Sequence, residues 1–302
     1  MSADTWGLRK MQEIDPGLVV LDELGGGSRY EVFRAWDREL FCQVAVKVVR
    51  PGRVQDERAI AGFEREIAIG RRLQHPNVVR LLRWHVGTRP YVVLGLVEAG
   101  SLAGHLQDVG PVSVPEACLL GVRMAAALHY LHANDVLHLD VKPANVTIGD
   151  PPVLLDLGLA RTAAGGQKLR AAIGTQQYMP PEQCAPGTVS AASDIFALGA
   201  TIYEGVSGER PFPEGDDGSE DAKARYPQLD LDPVPLGDVA HVPAQLEEIV
   251  MRCLERDPAR RPRNAVQVAV ALERILESMK LDELLAWPRG TPVTPPAGHR
   301  AR

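Results

Sequence analysis

Apolar residues along this chain change their spacing near residue 97. Before it they come in short blocks of β-strand length: Leu18-Val19-Val20-Leu21, Val44-Ala45-Val46-Lys47-Val48-Val49 and Tyr91-Val92-Val93-Leu94. Residues 59–73 break that rhythm, with Phe63, Ile67 and Leu73 among the apolar positions of a predicted helix. From residue 115 onward the apolar positions recur over long segments. Pro115 suits a helix start, because proline is tolerated in the first turn, and the pattern runs on to Leu131. Further helices are predicted over residues 191–206, 244–255 and 265–279. The expected fold class is α+β, with strands and one helix first and a larger helical part after them. No internal repeat is visible.

Two segments stand outside that pattern. Residues 214–221 read Glu-Gly-Asp-Asp-Gly-Ser-Glu-Asp, an acidic loop that reads first as a solvated face. Residues 287–302 are rich in proline and end on basic residues, too polar to bury enough surface to order themselves, so residues 280–302 are expected to be a flexible tail.

Length and composition narrow the class. A chain of 302 residues suggests two domains or one two-lobed unit. Hydrophobic residues at 45% and charged ones at 24% suit a soluble globular protein with a sizeable core. A net charge of -6 argues against a nucleic-acid partner, since binding phosphates takes a basic surface. Cys42, Cys118, Cys184 and Cys253 lie far apart, forming no metal-binding cluster and no disulfide framework. The start lacks the apolar core of a signal peptide, and no apolar run approaches the ~20 residues that span a bilayer. A cytoplasmic protein without a membrane span is expected.

Chemistry begins at Leu24-Gly25-Gly26-Gly27-Ser28-Arg29-Tyr30-Glu31-Val32, between two strand-like runs. Glycines here would let backbone N–H groups approach a polyphosphate, and Val32 would cover a flat ring; a plain glycine-rich turn explains the segment as well. Lys47 lies inside an apolar strand and needs a counter-charge, which Glu66 on the following helix can supply. Then His138-Leu139-Asp140-Val141-Lys142-Pro143-Ala144-Asn145 follows a long helix, and Leu154-Leu155-Asp156-Leu157-Gly158 comes shortly after. Two carboxylates, an amide and a lysine so spaced suit phosphoryl transfer. That reaction needs hard oxygen ligands for Mg2+, a carboxylate to orient and deprotonate a hydroxyl, and cations to hold phosphate charge.

With these motifs in this order, the sequence resembles a eukaryotic-type (Hanks-type) serine/threonine protein kinase of bacterial character, over residues 17–279. The resemblance implies a bilobal fold, with a β-rich N-lobe and hinge over 17–97, a helical C-lobe over 98–279 and an N-terminal extension over 1–16. It implies ATP with Mg2+, or Mn2+ in its place, and transfer to Ser/Thr hydroxyls of protein substrates, the kinase itself included. By the same resemblance, Asp140 takes the catalytic-loop aspartate position, with Lys142 and the Lys47–Glu66 pair beside it. Asn145 and Asp156 take the metal positions. Leu24, Gly25, Gly26, Gly27, Val32, Ala45, Lys47, Leu94, Gly95, Val97 and Thr147 take nucleotide positions, Leu94 as gatekeeper and Gly95 and Val97 through their backbones. Gly174-Thr175 resembles the peptide-docking loop, whose threonine bonds the catalytic aspartate and lysine. Asp194, Glu182 and Arg261 take architectural positions.

Departures from the family pattern are as informative. Tyr30 replaces the third glycine, Leu157 replaces the Phe of Asp-Phe-Gly, Thr147 takes an apolar floor position, and Gly70 falls in the predicted helix. Leu139 stands where the family commonly has an arginine that receives a phosphate from the activation loop. Residues 161–173 carry one hydroxyl, Thr162. Receptor and donors are missing together, so basal activity, an activating partner or a dimer is expected to set activity instead of activation-loop phosphorylation. A binding-only relative of the same fold predicts damage to Lys47, Asp140, Asn145 or Asp156, and all four are present. A small-molecule kinase would not need Lys142 and Gly174-Thr175.

Overall fold

The computed structural model describes residues 4–163, 167–169 and 171–279. Six antiparallel strands form the N-lobe: β1 (Glu13–Asp15), β2 (Leu18–Gly26), β3 (Tyr30–Asp37), β4 (Cys42–Val49), β5 (Leu81–His85) and β6 (Tyr91–Gly95), in the order β1-β2-β3-β4-β6-β5. The apolar blocks foreseen at 18–21, 44–49 and 91–94 lie within β2, β4 and β6. One face of the sheet buries Leu18, Val20, Phe33, Val44, Val46, Val48 and Val93, with Trp6 and Leu8 packed against them. The other face packs Val49 and Val92 on Phe63 and Ile67 of helix α1 (Glu57–Gly70).

α1 begins earlier than its apolar spacing suggests, because Asp56 caps it by accepting hydrogen bonds from the N–H groups of Arg58 and Ala59. It ends on Gly70. A Cβ there would lie 3.1 Å from Leu81 Cδ1 and 3.3 Å from Leu81 Cβ, so the glycine lets the helix end press on β5. Its helix-interior cost of about 1 kcal/mol relative to alanine is muted at a terminus.

The C-lobe is helical: α2 (Leu102–Asp108), α3 (Val114–Ala133), α4 (Pro181–Cys184), α5 (Ala191–Ser207), α6 (Ala222–Arg225), α7 (Leu236–Val239), α8 (Ala244–Cys253) and α9 (Ala265–Ser278). Ser113 and Glu116 form a capping box at the start of α3, with Pro115 in the first turn. α3 packs on α5 and α9 around Met124, Leu128, Ile202, Tyr203 and Leu272, all buried. This lobe also carries two short strand pairs. β7 (Val136–Leu137) pairs with β8 (Arg161–Thr162), and β9 (Gln167–Lys168) with β10 (Thr188–Val189). The fold is thus the α+β arrangement that the pattern predicts, with the two lobes that the resemblance implies. No helix among the described residues is long and apolar enough to cross a membrane. The tail foreseen over 280–302 lies outside the described residues.

Candidate active site

Strand register assembles the first part of the site. Directly opposed residues of an antiparallel pair share a face. The pairs Tyr30↔Val49, Val32↔Lys47, Ala45↔Leu94 and Lys47↔Val92 therefore put Tyr30, Val32, Ala45, Lys47 and Leu94 on the face turned towards α1 and the C-lobe. Val32, Ala45, Leu94, Gly95 and Val97 are each partly exposed, while Leu24, Gly25, Gly26 and Gly27 are exposed at the β2–β3 end. The Gly95 N–H donates to Arg80 O at 2.8 Å, while neither main-chain group of Val97 has a backbone partner among the described residues. Thr147 is buried, with its hydroxyl accepting from Val153 N at 2.8 Å.

Lys47 is the charged centre of this face. Its Nζ donates to Glu66 Oε1 and Oε2 at 2.9 and 3.0 Å and to Asp156 Oδ1 at 2.6 Å. Burial disfavours the Lys47 charge, but the Glu66 and Asp156 carboxylates outweigh it and hold the ammonium above its ordinary range. Burial likewise opposes the Asp156 charge, and Lys47 reverses that and holds the carboxyl well below the usual range. The Gly158 N–H donates to the same Asp156 oxygen at 2.9 Å, and a Cβ on Gly158 would sit 2.9 Å from it. Glycine is therefore needed where the backbone closes on this carboxylate.

The C-lobe supplies the second cluster. Lys142 Nζ donates to Asp140 Oδ2 at 2.8 Å and to Thr175 Oγ1 at 2.6 Å, and Thr175 Oγ1 donates to Asp140 Oδ1 at 2.7 Å. Asn145 Nδ2 donates to Asp140 O at 2.8 Å and Oδ2 at 3.0 Å. Both amide hydrogens are thereby spent on Asp140, which leaves Asn145 Oδ1 with no partner among the described residues. Asp156 Oδ2 is in the same position. These are two hard oxygen donors of the kind Mg2+ takes, and the residues fit the ion.

The loop carrying Asp140 is held from below. Asp194, fully buried on α5, accepts from His138 N at 2.9 Å, from Leu139 N at 2.7 Å and from His132 Nε2 at 2.8 Å. Glu182 receives two hydrogen bonds from the buried Arg261, at 2.7 and 3.0 Å. Leu139, with φ 63°, turns into an apolar cluster with Leu137 and Val189, against which Ala163, Leu169 and Ala191 pack. An apolar contact thus occupies the place where the resemblance led one to look for a phosphate-receiving arginine.

Of the foreseen site residues, Lys47, Glu66 and Asp156 meet in one cluster and Asp140, Lys142 and Asn145 in another, while Asp194, Glu182 and Arg261 lie outside both. Sequence reasoning missed three features. His138 Nε2 lies 3.0 Å from Leu155 O and ties the catalytic loop to the segment before Asp156. The aromatic ring of Tyr30 lies against Lys47. Residues 4–8 lie across the sheet, with Trp6 N donating to Glu31 at 3.0 Å and Trp6 Nε1 to Val49 O at 2.7 Å. No local signal marks these contacts, since none joins residues that are near neighbours in the chain.

Residues 18–272 match the protein kinase domain family. The serine/threonine-protein kinase PknB of Mycobacterium leprae is 31% identical over 84% of this chain and 42% of its own length. PknB of Mycolicibacterium smegmatis is 32% identical over 86% of this chain and 43% of its own. The serine/threonine-protein kinase PknK of Mycobacterium tuberculosis is 31% identical over 87% of this chain and 24% of its own. The chain thus spans less than half the length of these relatives. With the family match covering most of its residues, this chain belongs to the protein kinase family, among its bacterial serine/threonine (Hanks-type) members.

Proposed function

We propose that this chain is a serine/threonine protein kinase that transfers the γ-phosphoryl group of ATP to Ser/Thr hydroxyls of proteins, itself included. Its kinase domain runs over residues 17–279, and it works in the cytoplasm. The observation that carries this reading is the Asp140–Lys142–Thr175 network, with Asn145 and the Lys47–Glu66–Asp156 triad beside it.

In this reading Asp140 orients the attacking hydroxyl and accepts its proton. Lys142 neutralises charge developing on the transferred group, and Lys47, held by Glu66, meets the α and β phosphates. Asn145 and Asp156 hold Mg2+, which when bound supplies charge neutralisation at the β and γ phosphates. Gly25, Gly26 and Gly27 offer backbone N–H groups to the phosphates. Leu24, Val32, Ala45, Leu94 and Thr147 enclose the adenine, and Gly95 and Val97 offer it main-chain groups.

The reading extends to control. Leu139 and its apolar neighbours hold the activation segment by burial, a contact that needs no phosphate. Activity is therefore independent of activation-loop phosphorylation, and an activating partner or a dimer sets it instead.

The test is transfer of label from γ-labelled ATP with Mg2+ to a generic basic protein and to the kinase, comparing wild type with Asp140→Asn. Acid-stable phosphoserine or phosphothreonine that disappears in Asp140→Asn is the expected result. Equal labelling by the two proteins would remove Asp140 from its role and the reading with it.

A further inference from the structure

Tyr30 stands at the first residue of β3, and its ring is placed where a side chain bears on the ion triad. Lys47 Nζ lies 4.2 Å from the ring centroid. The three N–H groups of Lys47 are already spent on Glu66 Oε1, Glu66 Oε2 and Asp156 Oδ1, so the ring covers a face of the ammonium that no hydrogen bond uses. The same ring packs against the cluster of Val49, Phe63, Ile67 and Val92, which joins α1 to the sheet. Its hydroxyl makes no hydrogen bond among the described residues, so the ring and not the phenol does the work.

The strand under Tyr30 is fixed. Tyr30 O accepts from Gly27 N at 3.0 Å, and Tyr30 pairs with Val49 of β4. The adjacent Glu31 is buried and receives Trp6 N and the Thr5 hydroxyl. At the opposite end α1 stops on Gly70, which closes on Leu81, and Ile69 is buried in the large core. Against the sheet, α1 is held by Phe63, Ile67 and the neighbours they share with Tyr30.

We propose that Tyr30 is a positioning residue: its ring roofs the Lys47 ammonium and pins α1 to the sheet, keeping Glu66 on Lys47. The inference rests on the kinase reading for its consequence in catalysis and on geometry alone for its effect on α1. In a chain whose activation segment is held by apolar contacts, the N-lobe thus carries its own means of keeping α1 inward.

The full chain is compared with Tyr30→Phe and Tyr30→Ser in two measurements: kcat and KM for ATP, and amide hydrogen exchange of residues 57–70 without nucleotide. Tyr30→Phe keeps the ring and holds kcat within about twofold, whereas Tyr30→Ser lowers kcat by about tenfold. Exchange in α1 speeds up in Tyr30→Ser only, while exchange in α5 stays as in wild type, which separates loss of positioning from loss of the fold. Unchanged α1 exchange in Tyr30→Ser overturns the proposal. So does a fall in KM for ATP at unchanged kcat, which would make the ring a mere obstruction. If Tyr30→Ser does not fold, Tyr30→Leu replaces it, with α1 exchange again the deciding quantity. An inactive wild type would count against the kinase reading, and the exchange comparison would still decide the role of the ring.

Discussion

The hydroxyl of Thr175 donates to Asp140 at 2.7 Å while accepting from Lys142 at 2.6 Å, so one side chain of the activation segment fixes two groups of the catalytic loop. Removing it leaves Asp140 Oδ1 without this donor and Lys142 with one partner fewer, while Lys142 and Asn145 still hold Asp140 Oδ2. Thr175→Ala is expected to lower kcat by about tenfold with little change in KM for ATP, against a loss of about 10²–10⁴ for Asp140→Asn, which removes the proposed base. Thr175→Ser keeps the hydroxyl and should stay within a few-fold of wild type. Steady-state kinetics on a protein substrate checks all three. Equal activity of Thr175→Ala and wild type would detach this threonine from catalysis.

Arg261 and Glu182 belong to architecture. The Arg261 side chain is wholly inaccessible and also donates to the carbonyls of Glu255, Ala192 and Arg256. Glu182→Gln leaves that guanidinium buried without a counter-charge, at an expected cost of about 3–5 kcal/mol. Arg261→Lys should also destabilise, since an ammonium cannot reproduce the guanidinium's fork of donors. Urea unfolding reads both, and a change below about 1 kcal/mol in Glu182→Gln would place the pair at the level of a surface ion pair.

These two sites also mark how far the chain was legible before folding. Asp140, Lys142, Asn145 and Asp156 fall in short motifs at fixed spacing, and α3 and α5 repeat their apolar positions over several turns. β3 was less legible, because its buried positions include Glu31 and Asp37 as well as Phe33 and Ala35. Carboxylates at buried strand positions disguise the alternation. Their partners come from far away: Trp6 reaches Glu31, and Arg83 donates to Asp37 at 2.9 Å. The contact of Tyr30 with Lys47 was hidden for a related reason, since it depends on which face of β3 a one-residue register shift would select. The 59–73 prediction placed the end of α1 too late because apolar spacing carries no information about the Gly70–Leu81 approach.

The cluster around Leu139 gives the clearest test of control. Thr162 is exposed, and Leu139 offers no charge to receive a phosphate there. Thr162→Ala should leave activity near wild type, and a loss of tenfold or more would sink the idea of phosphorylation-independent control. Leu139→Ala opens a cavity under Val189 and should cost about 2–5 kcal/mol, loosening the activation segment with it. Limited proteolysis between residues 161 and 173 should then cut the variant faster than wild type. Equal rates would show that the apolar contact does not order the segment.

Asp194 links the site to acid stability. Burial alone would raise its pKa. The hydrogen bond and charge of His132, the nearby His138 and the Leu139 N–H outweigh that and hold the carboxyl below its ordinary range. A carboxylate whose pKa is depressed by folding adds stability in full above its unfolded value of about 3.9, and that share is lost as pH falls through the lower folded value. Wild type should therefore lose stability on acidification more steeply than Asp194→Asn. At pH 7 the variant should be less stable by about 1–3 kcal/mol, because an amide oxygen accepts these hydrogen bonds more weakly than a carboxylate. Urea midpoints at pH 7 and below pH 4 measure the gap. A narrowing gap is the signature of an ionised Asp194 in the native state, and a constant one would mean that its hydrogen bonds do not depend on its charge.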